Sequence, residues 1–414
     1  MSVTVCVSVE RAAGVPLRTS DVVIVGGGFS GTLAAVLLGR AGCSVTLVDR
    51  HLEFPPEFRA EQIVGSQVDA LRRLGVLEAL IAGVPRIDQA ICARRGRIIE
   101  RVRGPHYGLS YESMVTAIRA LLPPTVSFIT GQVIDVETGP ARQLVRLFSG
   151  EALGCRLVVL ATGEGNGLLR KLGIGRRTIR DDHSLAIGLD IVAGSGNPVE
   201  TSVLVHYGEN LSDRMDYVSL FPLGTALRAN LFCYRHISEP WTRHFRCQPR
   251  EALLGVMPGL RRLIGDFRVS GKAQIRTNHL RQADGYLRDG IVLVGDAFQT
   301  SCPAAGTGIG RLLTDVDRLC NEHLPRWLTA GAASSEQIAQ FYNDPVKRAC
   351  DVEAIRIAEY RRSISVDTSL SWRLHRAAIF ACRTIRGRIP RRGRNASAAD
   401  APAAPALDSM PVSA

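Results

Sequence analysis

The sequence predicts an α/β protein in which a Rossmann-type parallel-sheet domain is interrupted by an antiparallel β-sheet domain and followed by helices. Three observations carry this. Residues 21–50, DVVIVGGGFSGTLAAVLLGRAGCSVTLVDR, read as strand, glycine turn, Ala/Leu-rich helix and second strand, the ~30-residue unit of a parallel sheet. Residues 183–276 contain β-branched and aromatic runs joined by turns, SLAIGLDIV, TSVLVHYG, DYVSLFPLG and ALRANLFCYRHI, with little helix between them. From residue 290 the pattern returns to strand, glycine-rich loop and helix, GIVLVGDAFQTSCPAAGTGIGRLLTDVDRL, and helices dominate afterwards.

Between these anchors the elements follow in order. A long helix is predicted over residues 60–82, from the apolar spacing in EQIVGSQVDALRRLGVLEAL, and another in ESMVTAIRALL, stopped by Pro123-Pro124. Strands are expected in VSFITGQVIDVE, RQLVRLFS and RLVVLATG. The implied division places residues 18–85, 106–180 and 277–345 in the dinucleotide domain, and 86–105 with 181–276 in the antiparallel substrate domain. Residues 346–394 form basic C-terminal helices, and the termini 1–17 and 395–414 are expected to be flexible.

Composition excludes several classes. At 414 residues, 46% hydrophobic and 22% charged, the chain is an ordinary globular sequence long enough for two or three domains. No apolar stretch reaches the ~18 residues of a membrane-spanning helix, and residues 1–14 lack the n-region and h-region of a secretory signal. Ten cysteines are scattered without CxxC pairs, which predicts reduced thiols and a cytoplasmic protein. The net charge of +12 is concentrated in residues 373–394, RLHRAAIFACRTIRGRIPRRGR, with eight arginines and no acid. Without an accompanying nucleic-acid module this distribution predicts no nucleic-acid partner. The nine histidines show no metal-ligand spacing, so no metal is expected.

Gly26-Gly27-Gly28-Phe29-Ser30-Gly31 fits G-x-G-x-x-G. Gly26 permits the turn out of the strand, Gly28 admits a pyrophosphate against the backbone, and Gly31 lets the helix approach the sheet. Asp49, 23 positions after Gly26 and followed by Arg50, ends the second strand, where a carboxylate accepts ribose hydroxyls and repels a 2′-phosphate. The site is therefore built for FAD or NAD rather than NADP.

Gly295-Asp296, then Pro303, Ala305, Gly306, Thr307 and Gly308, resembles the second FAD fingerprint of the p-hydroxybenzoate-hydroxylase-like (group A) flavoprotein monooxygenases, whose FAD domain is glutathione-reductase-2-like. The resemblance spans roughly residues 21–319. It implies that Asp296 bonds the ribityl chain and that the backbone around 305–308 faces the flavin N1/O2 edge, where a helix N-terminus stabilises the reduced anion. Arg59 matches the family's pyrophosphate-reaching arginine, and Glu164-Gly165 stands where the family has Asp-Gly. Three departures are evident: Gln299 for a histidine, Gly310 for an asparagine, and Glu164 for aspartate. They also fit relatives such as prenyl reductases. The flavin-halogenase motif W-x-W-x-I-P is absent, with Trp241, Trp327 and Trp372 each standing alone.

What the family implies is an enzyme in which NAD(P)H reduces FAD and a flavin C4a-hydroperoxide hydroxylates an aromatic, polyketide or prenylated substrate. Two alternatives stand beside it: an FAD-dependent prenyl-chain reductase, and a non-catalytic FAD-binding protein of the membrane surface. No acid–base residue is legible. His206, Tyr207, Tyr217 and Phe221 lie on strands expected to wall the substrate, and Cys302 is expected to be a buried thiol. Residues 372–394 intersperse arginines with Trp372, Leu374, Ile379, Phe380 and Ile385. That pattern fits a cap helix packed on the FAD domain, or a helix on an anionic inner-membrane surface that would suit a lipophilic substrate.

Overall fold

The computed structural model describes residues 18–139, 142–194, 199, 201–224, 226–330 and 333–388. The termini expected to be flexible, 1–17 and 395–414, lie outside the described residues. The elements are β1 (Arg18–Val25), α1 (Phe29–Arg40), β2 (Val45–Asp49), β3 (Ala60–Val64), α2 (Gly65–Arg73), α3 (Leu77–Ile81), β4 (Ile87–Arg94), β5 (Arg97–Ser110), α4 (Tyr111–Arg119), β6 (Val126–Thr130), β7 (Val133–Glu137), β8 (Gln143–Leu147) and β9 (Ala152–Leu160). They continue with α5 (Gly167–Lys171), β10 (Gly175–Ala193), β11 (Val203–Tyr207), β12 (Met215–Leu223), β13 (Ala226–Cys233), α6 (Pro240–Cys247), α7 (Pro249–Val256), α8 (Leu260–Ile264), β14 (Phe267–Asp284) and β15 (Ile291–Leu293). The C-terminal helices are α9 (Gly308–Asp317), α10 (Leu324–Ala330), α11 (Ser335–Tyr342), α12 (Pro345–Val366) and α13 (Leu370–Arg388).

The first sheet runs β6-β2-β1-β9 in parallel, with β15 parallel to the C-terminal half of β9 and the β7–β8 hairpin antiparallel to its N-terminal half. Residues 22–25 of β1 are buried because helices cover both faces, which is why the strand reads as an unbroken apolar run. α1 lies close against it through small residues. A Cβ on Gly31 would stand 1.9 Å from the Gly26 carbonyl oxygen, so the helix docks only with glycine there.

The second sheet has the order β14-β10-β13-β12-β11-β4-β5-β3. It is antiparallel except for β4 and β11, which pair in parallel from Ala90↔Val203 to Arg94↔Tyr207. One face, with Leu189, Leu204, Val218 and Leu220, is covered by α6–α8. The opposite face, with Val203, Val205, Tyr207 and Phe221, packs toward Phe380 of α13. β10 and β14 form a ribbon from Gly175↔Asp284 to Ala193↔Phe267, with three register shifts.

The structure corrects two expectations. The predicted helix over 60–82 begins as strand: β3 pairs with β5 from Ala60↔Ser110 to Val64↔His106, and helix starts only at Gly65. Pairing to a neighbouring strand overrides local spacing here, and β3 thereby joins the second sheet although the sequence division put it with the first. β5 likewise runs through residue 105, carrying the second sheet up to Ser110, the side-chain N-cap of α4.

α13 docks by one face. Trp372, His375, Arg376, Ile379, Phe380, Arg383 and Thr384 are turned inward at helical spacing, whereas Leu370, Arg373, Leu374, Ile385 and Arg386 are exposed. Of the two readings of this helix, its packing follows the cap, though onto the second sheet rather than onto the FAD domain. No helix of the described residues is long and apolar enough to cross a membrane.

Candidate functional site

The chain from β1 turns at Gly26, whose φ of +106° is open to glycine and strained for other residues. α1 then starts at Gly28 with no side-chain cap, leaving first-turn N–H groups available to an anion. By contrast, α4, α11 and α12 start under the side chains of Ser110, Ser334 and Asp344. Asp49 sits beside this turn, accepting from Gly27 N at 2.6 Å and from His51 N at 2.9 Å. Arg119 braces the pair, donating to Gly27 O at 2.7 Å and to the carbonyls of His51 and Leu52, with its Nη2 3.4 Å from Asp49 Oδ1.

Arg59 reaches the start of α1 indirectly. Its guanidinium lies 4.4 Å from the Tyr111 ring centroid and pairs with Glu61 at 2.6 Å, while Phe29 N donates to Tyr111 Oη at 3.3 Å. Arg50 is exposed at the end of β2. Neither Arg119 nor Tyr111 is marked by a motif, since both come from α4, far from the glycine turn in sequence.

At the second fingerprint, Gly295 has a φ of +61° and Gly306 of +66°. The loop 303–305 leads to α9, which also starts without a side-chain cap, at Thr307. Loop 163–166 is drawn to it by Arg176, which donates to Gly163 O at 2.9 Å, Asn166 Oδ1 at 2.6 Å and Asp296 O at 2.9 Å. Glu164 pairs with Arg276 at 2.6 Å on the exposed side of this loop.

A buried ion network backs the Gly295–Gln299 turn. Gly295 N donates to Asp315 Oδ2 at 2.9 Å, and the Arg311 guanidinium donates to Gln299 O, to Ser301 Oγ at 3.1 Å and to Asp351 Oδ1 at 3.2 Å. Arg311 Nη2 stands 3.6 Å from Asp296 Oδ1. Lys347 Nζ donates to Asp315 Oδ1 and to Asp351 Oδ2, both at 2.8 Å, and lies 4.3 Å from the Phe298 ring centroid. Arg311, Asp315 and Lys347 are essentially without solvent exposure. The sequence signal for this network was present but unread: Arg311–Asp315 and Lys347–Asp351 are both i,i+4 pairs of opposite charge.

The substrate-wall candidates divide by strand alternation. Tyr217 packs against the flavin-fingerprint loop, donating its hydroxyl to Ala304 O at 3.1 Å, and its ring stands 5.0 Å from that of Phe232. Phe221 is fully buried beside Gly108, where a Cβ would come within 2.6 Å of its ring. Tyr207 faces the same side. His206 is corrected: one residue away on β11, it points to the other face, with Nε2 accepting from Gly96 N at 3.4 Å and Glu209 3.7 Å away. Burial pushes its pKa down to about 4, so it is a neutral core residue. Cys302 is buried, its Sγ 3.6 Å from Ser184 Oγ, and burial raises its pKa, as befits a packing thiol.

These features fit a flavin dinucleotide. Two uncapped helix N-termini open at glycine-rich turns, and the buried hydroxyls of Thr162 and Thr307, one beside each turn, have no hydrogen-bond partner among the described residues. The fold and these turns define an FAD-dependent oxidoreductase.

Comparison with known proteins agrees. The family profile described as an FAD binding domain matches residues 19–107. The 6-methylpretetramide 4-monooxygenase of Streptomyces rimosus is 26% identical over 326 residues, covering 72% of this chain and 73% of the relative. Among solved structures, p-nitrophenol 4-monooxygenase PnpA from Pseudomonas putida DLL-E4 aligns with a TM-score of 0.73 at 18% identity, over 90% of this chain and 95% of its own. OxyS anhydrotetracycline hydroxylase from Streptomyces rimosus aligns at 0.65 with 20% identity, over 88% and 72% respectively. The chain thus has the p-hydroxybenzoate-hydroxylase-like (group A) fold, with FAD as its cofactor.

Proposed function

We propose that the protein is a single-component monooxygenase that takes reducing equivalents from NAD(P)H and hydroxylates an electron-rich aromatic or polyketide ring. The observation that carries this is the contact between the uncapped α9 loop and the buried aromatic wall, where Tyr217 Oη meets the Ala304 carbonyl. FAD, when bound, supplies the redox chemistry with O2. Gly26, Gly28, Phe29, Ser30, Gly31 and Asp49 would hold its adenosine and pyrophosphate, with Arg59 reaching the latter across Tyr111. Gly295, Asp296, Pro303, Ala305, Gly306, Thr307 and Gly308 would hold the ribityl chain and ring, with Glu164-Gly165 closing one side. The first-turn N–H groups of α9 would lend positive potential to a flavin held there. Tyr207, Tyr217, Phe221 and Phe232 would help to keep water from it.

The test is NADPH oxidation under 18O2 with a panel of phenols and polycyclic aromatics. Incorporated 18O supports the reading. Turnover without incorporation identifies a prenyl-chain reductase or similar non-oxygenating enzyme, and bound FAD that no substrate helps NADPH to bleach identifies a non-catalytic flavoprotein.

A peripheral contact with an anionic membrane surface rests on exposed Leu370, Leu374 and Ile385 beside Arg373 and Arg386. Sedimentation with phosphatidylglycerol vesicles, lost in Leu374→Glu/Ile385→Glu, tests it.

A further inference from the structure

A cavity of about 70 Å³ lies between α13, α12 and the edge of β11 and β12. It sits on the far side of Tyr207 and Tyr217 from the loop 303–305, so it is separate from the space where a flavin ring would lie. Its lining contains four arginines, Arg94, Arg361, Arg376 and Arg383, and a single acid, Asp216.

That acid is already engaged. Arg361 holds Asp216 with two hydrogen bonds, at 3.0 and 2.5 Å, and Tyr234 donates to the same carboxylate at 3.1 Å. The remaining three guanidiniums are positioned by neutral groups. Arg94 donates to the Gly208 and Glu209 carbonyls and lies 4.2 Å from the Phe380 ring centroid. Arg376 ties the carbonyls of Ile364 and Asp367, and Arg383 donates to the Tyr207 hydroxyl. Of the nearby acids, Glu209 accepts from Gly259 N and Asp367 from Ser369 N, while Glu100 acts on Arg383 from outside the cavity lining. Arg94 Nη1, Arg376 Nε and Arg383 Nη2 have no acceptor among the described residues, and none is sealed from solvent. Burial lowers the pKa of Arg94, with repulsion from Arg95 and then from Arg376 adding to it.

Three guanidiniums, two held by backbone carbonyls and one by the Tyr207 hydroxyl, around a space whose one lining acid is paired with Arg361, form a receptor for an oxyanion. Forked N–H donors match a carboxylate or phosphate. The volume is less than half of the ~150 Å³ that accommodates a benzene ring, which admits such a group and excludes a polycycle. We propose that this cavity binds a small oxyanion, phosphate or carboxylate, held by Arg94, Arg376 and Arg383. The proposal does not depend on the oxygenase reading, because its readout is binding and not turnover.

The experiment titrates the FAD-loaded full-length protein with inorganic phosphate and, separately, benzoate, at constant ionic strength balanced with chloride, by calorimetry and thermal shift. Saturable one-to-one binding is expected, weakened about tenfold or more in Arg376→Gln and in Arg383→Gln. Arg373→Gln, on the outward face of the same helix, should bind like the unaltered protein with full FAD content. Should the glutamine variants misfold, Arg376→Lys and Arg383→Lys retain charge without the planar fork and are expected to weaken binding. The two probes separate the sources. Phosphate bound where benzoate is not marks a free-anion site, and benzoate bound with no change in flavin absorbance marks a subsite for a carboxylate whose ring stays outside. Benzoate that perturbs the flavin spectrum and binds the Arg376 and Arg383 variants equally lies at the flavin and counts against the cavity. Absence of saturable binding of either probe above chloride overturns the proposal, as does equal binding by the Arg376 and Arg383 variants.

Discussion

Replacing Lys347 by methionine tests whether the buried network holds the flavin turn. The ammonium lies 2.8 Å from both Asp315 Oδ1 and Asp351 Oδ2, with no solvent exposure. At an effective dielectric of about 20, each contact represents ~6 kcal/mol of Coulomb attraction, most of it offset by desolvation. Removing the cation leaves two buried carboxylates sharing Arg311 alone, at an expected loss of about 3–5 kcal/mol, a large fraction of a domain's stability. Because Asp315 also accepts from Gly295 N, FAD retention should fall along with the melting temperature. Denaturant melts and flavin content after gel filtration measure both. The double variant Lys347→Met/Asp351→Met restores the balance of one cation to one anion, Arg311 and Asp315, and should be more stable than Lys347→Met alone. A single variant that loses less than about 1 kcal/mol, or a double variant whose losses simply add, refutes the reasoning.

Gly28→Ala should fold, since its Cβ would meet only the Tyr111 hydroxyl at 3.3 Å, yet purify with little FAD; Gly31→Ala, 1.9 Å from the Gly26 carbonyl oxygen, should instead fail in melting experiments. Asp296→Ala should lose flavin without a large change in melting temperature, since its side chain is partly exposed and makes no hydrogen bond within the described chain; yellow, stoichiometric protein would contradict its role. Burial lowers the pKa of His183 and His206 to about 4 from 6.5, so the stability of their neutral forms is present above pH 6.5 and is lost as pH falls toward 4. Melts from pH 7 to 4.5 should show that loss, on the order of 3 kcal/mol per histidine at most, and His206→Asn should flatten the profile. Arg119→Met should weaken FAD binding by loosening the Asp49 turn, measurable by fluorescence titration, with the far-UV spectrum unchanged.

What was legible in the sequence had a local cause. The glycine turns at 26–31 and 295–308 show themselves because backbone conformation and close approach restrict residue choice. The insertion of a second sheet was legible from β periodicity over 183–276. The helix expected over residues 60–64 was not strand in any local sense; it became one because β5 offered a partner edge. Side-chain facing was the weakest inference: His206 and Tyr207 are adjacent, and a single position decides which looks toward the flavin loop. Arg119, Tyr111 and Arg176 were missed because each acts across a long sequence separation, with no spacing rule connecting it to a glycine motif, and the Lys347 network left only two i,i+4 pairs as its local trace, not the contact that joins them.

The β10–β14 ribbon bears on how a ligand gets in. It begins at Gly175 beside the Arg176 tie to the flavin turn and ends at Phe267 under the helical layer, so one ladder, interrupted only by its three register shifts, crosses both halves of the molecule. Bending the halves apart would break many of its rungs together, which makes clamshell opening stiff. Small compounds must then enter by rearranging side chains and loops at the rim, and amides along this ladder should be among the slowest in the protein to exchange with deuterium.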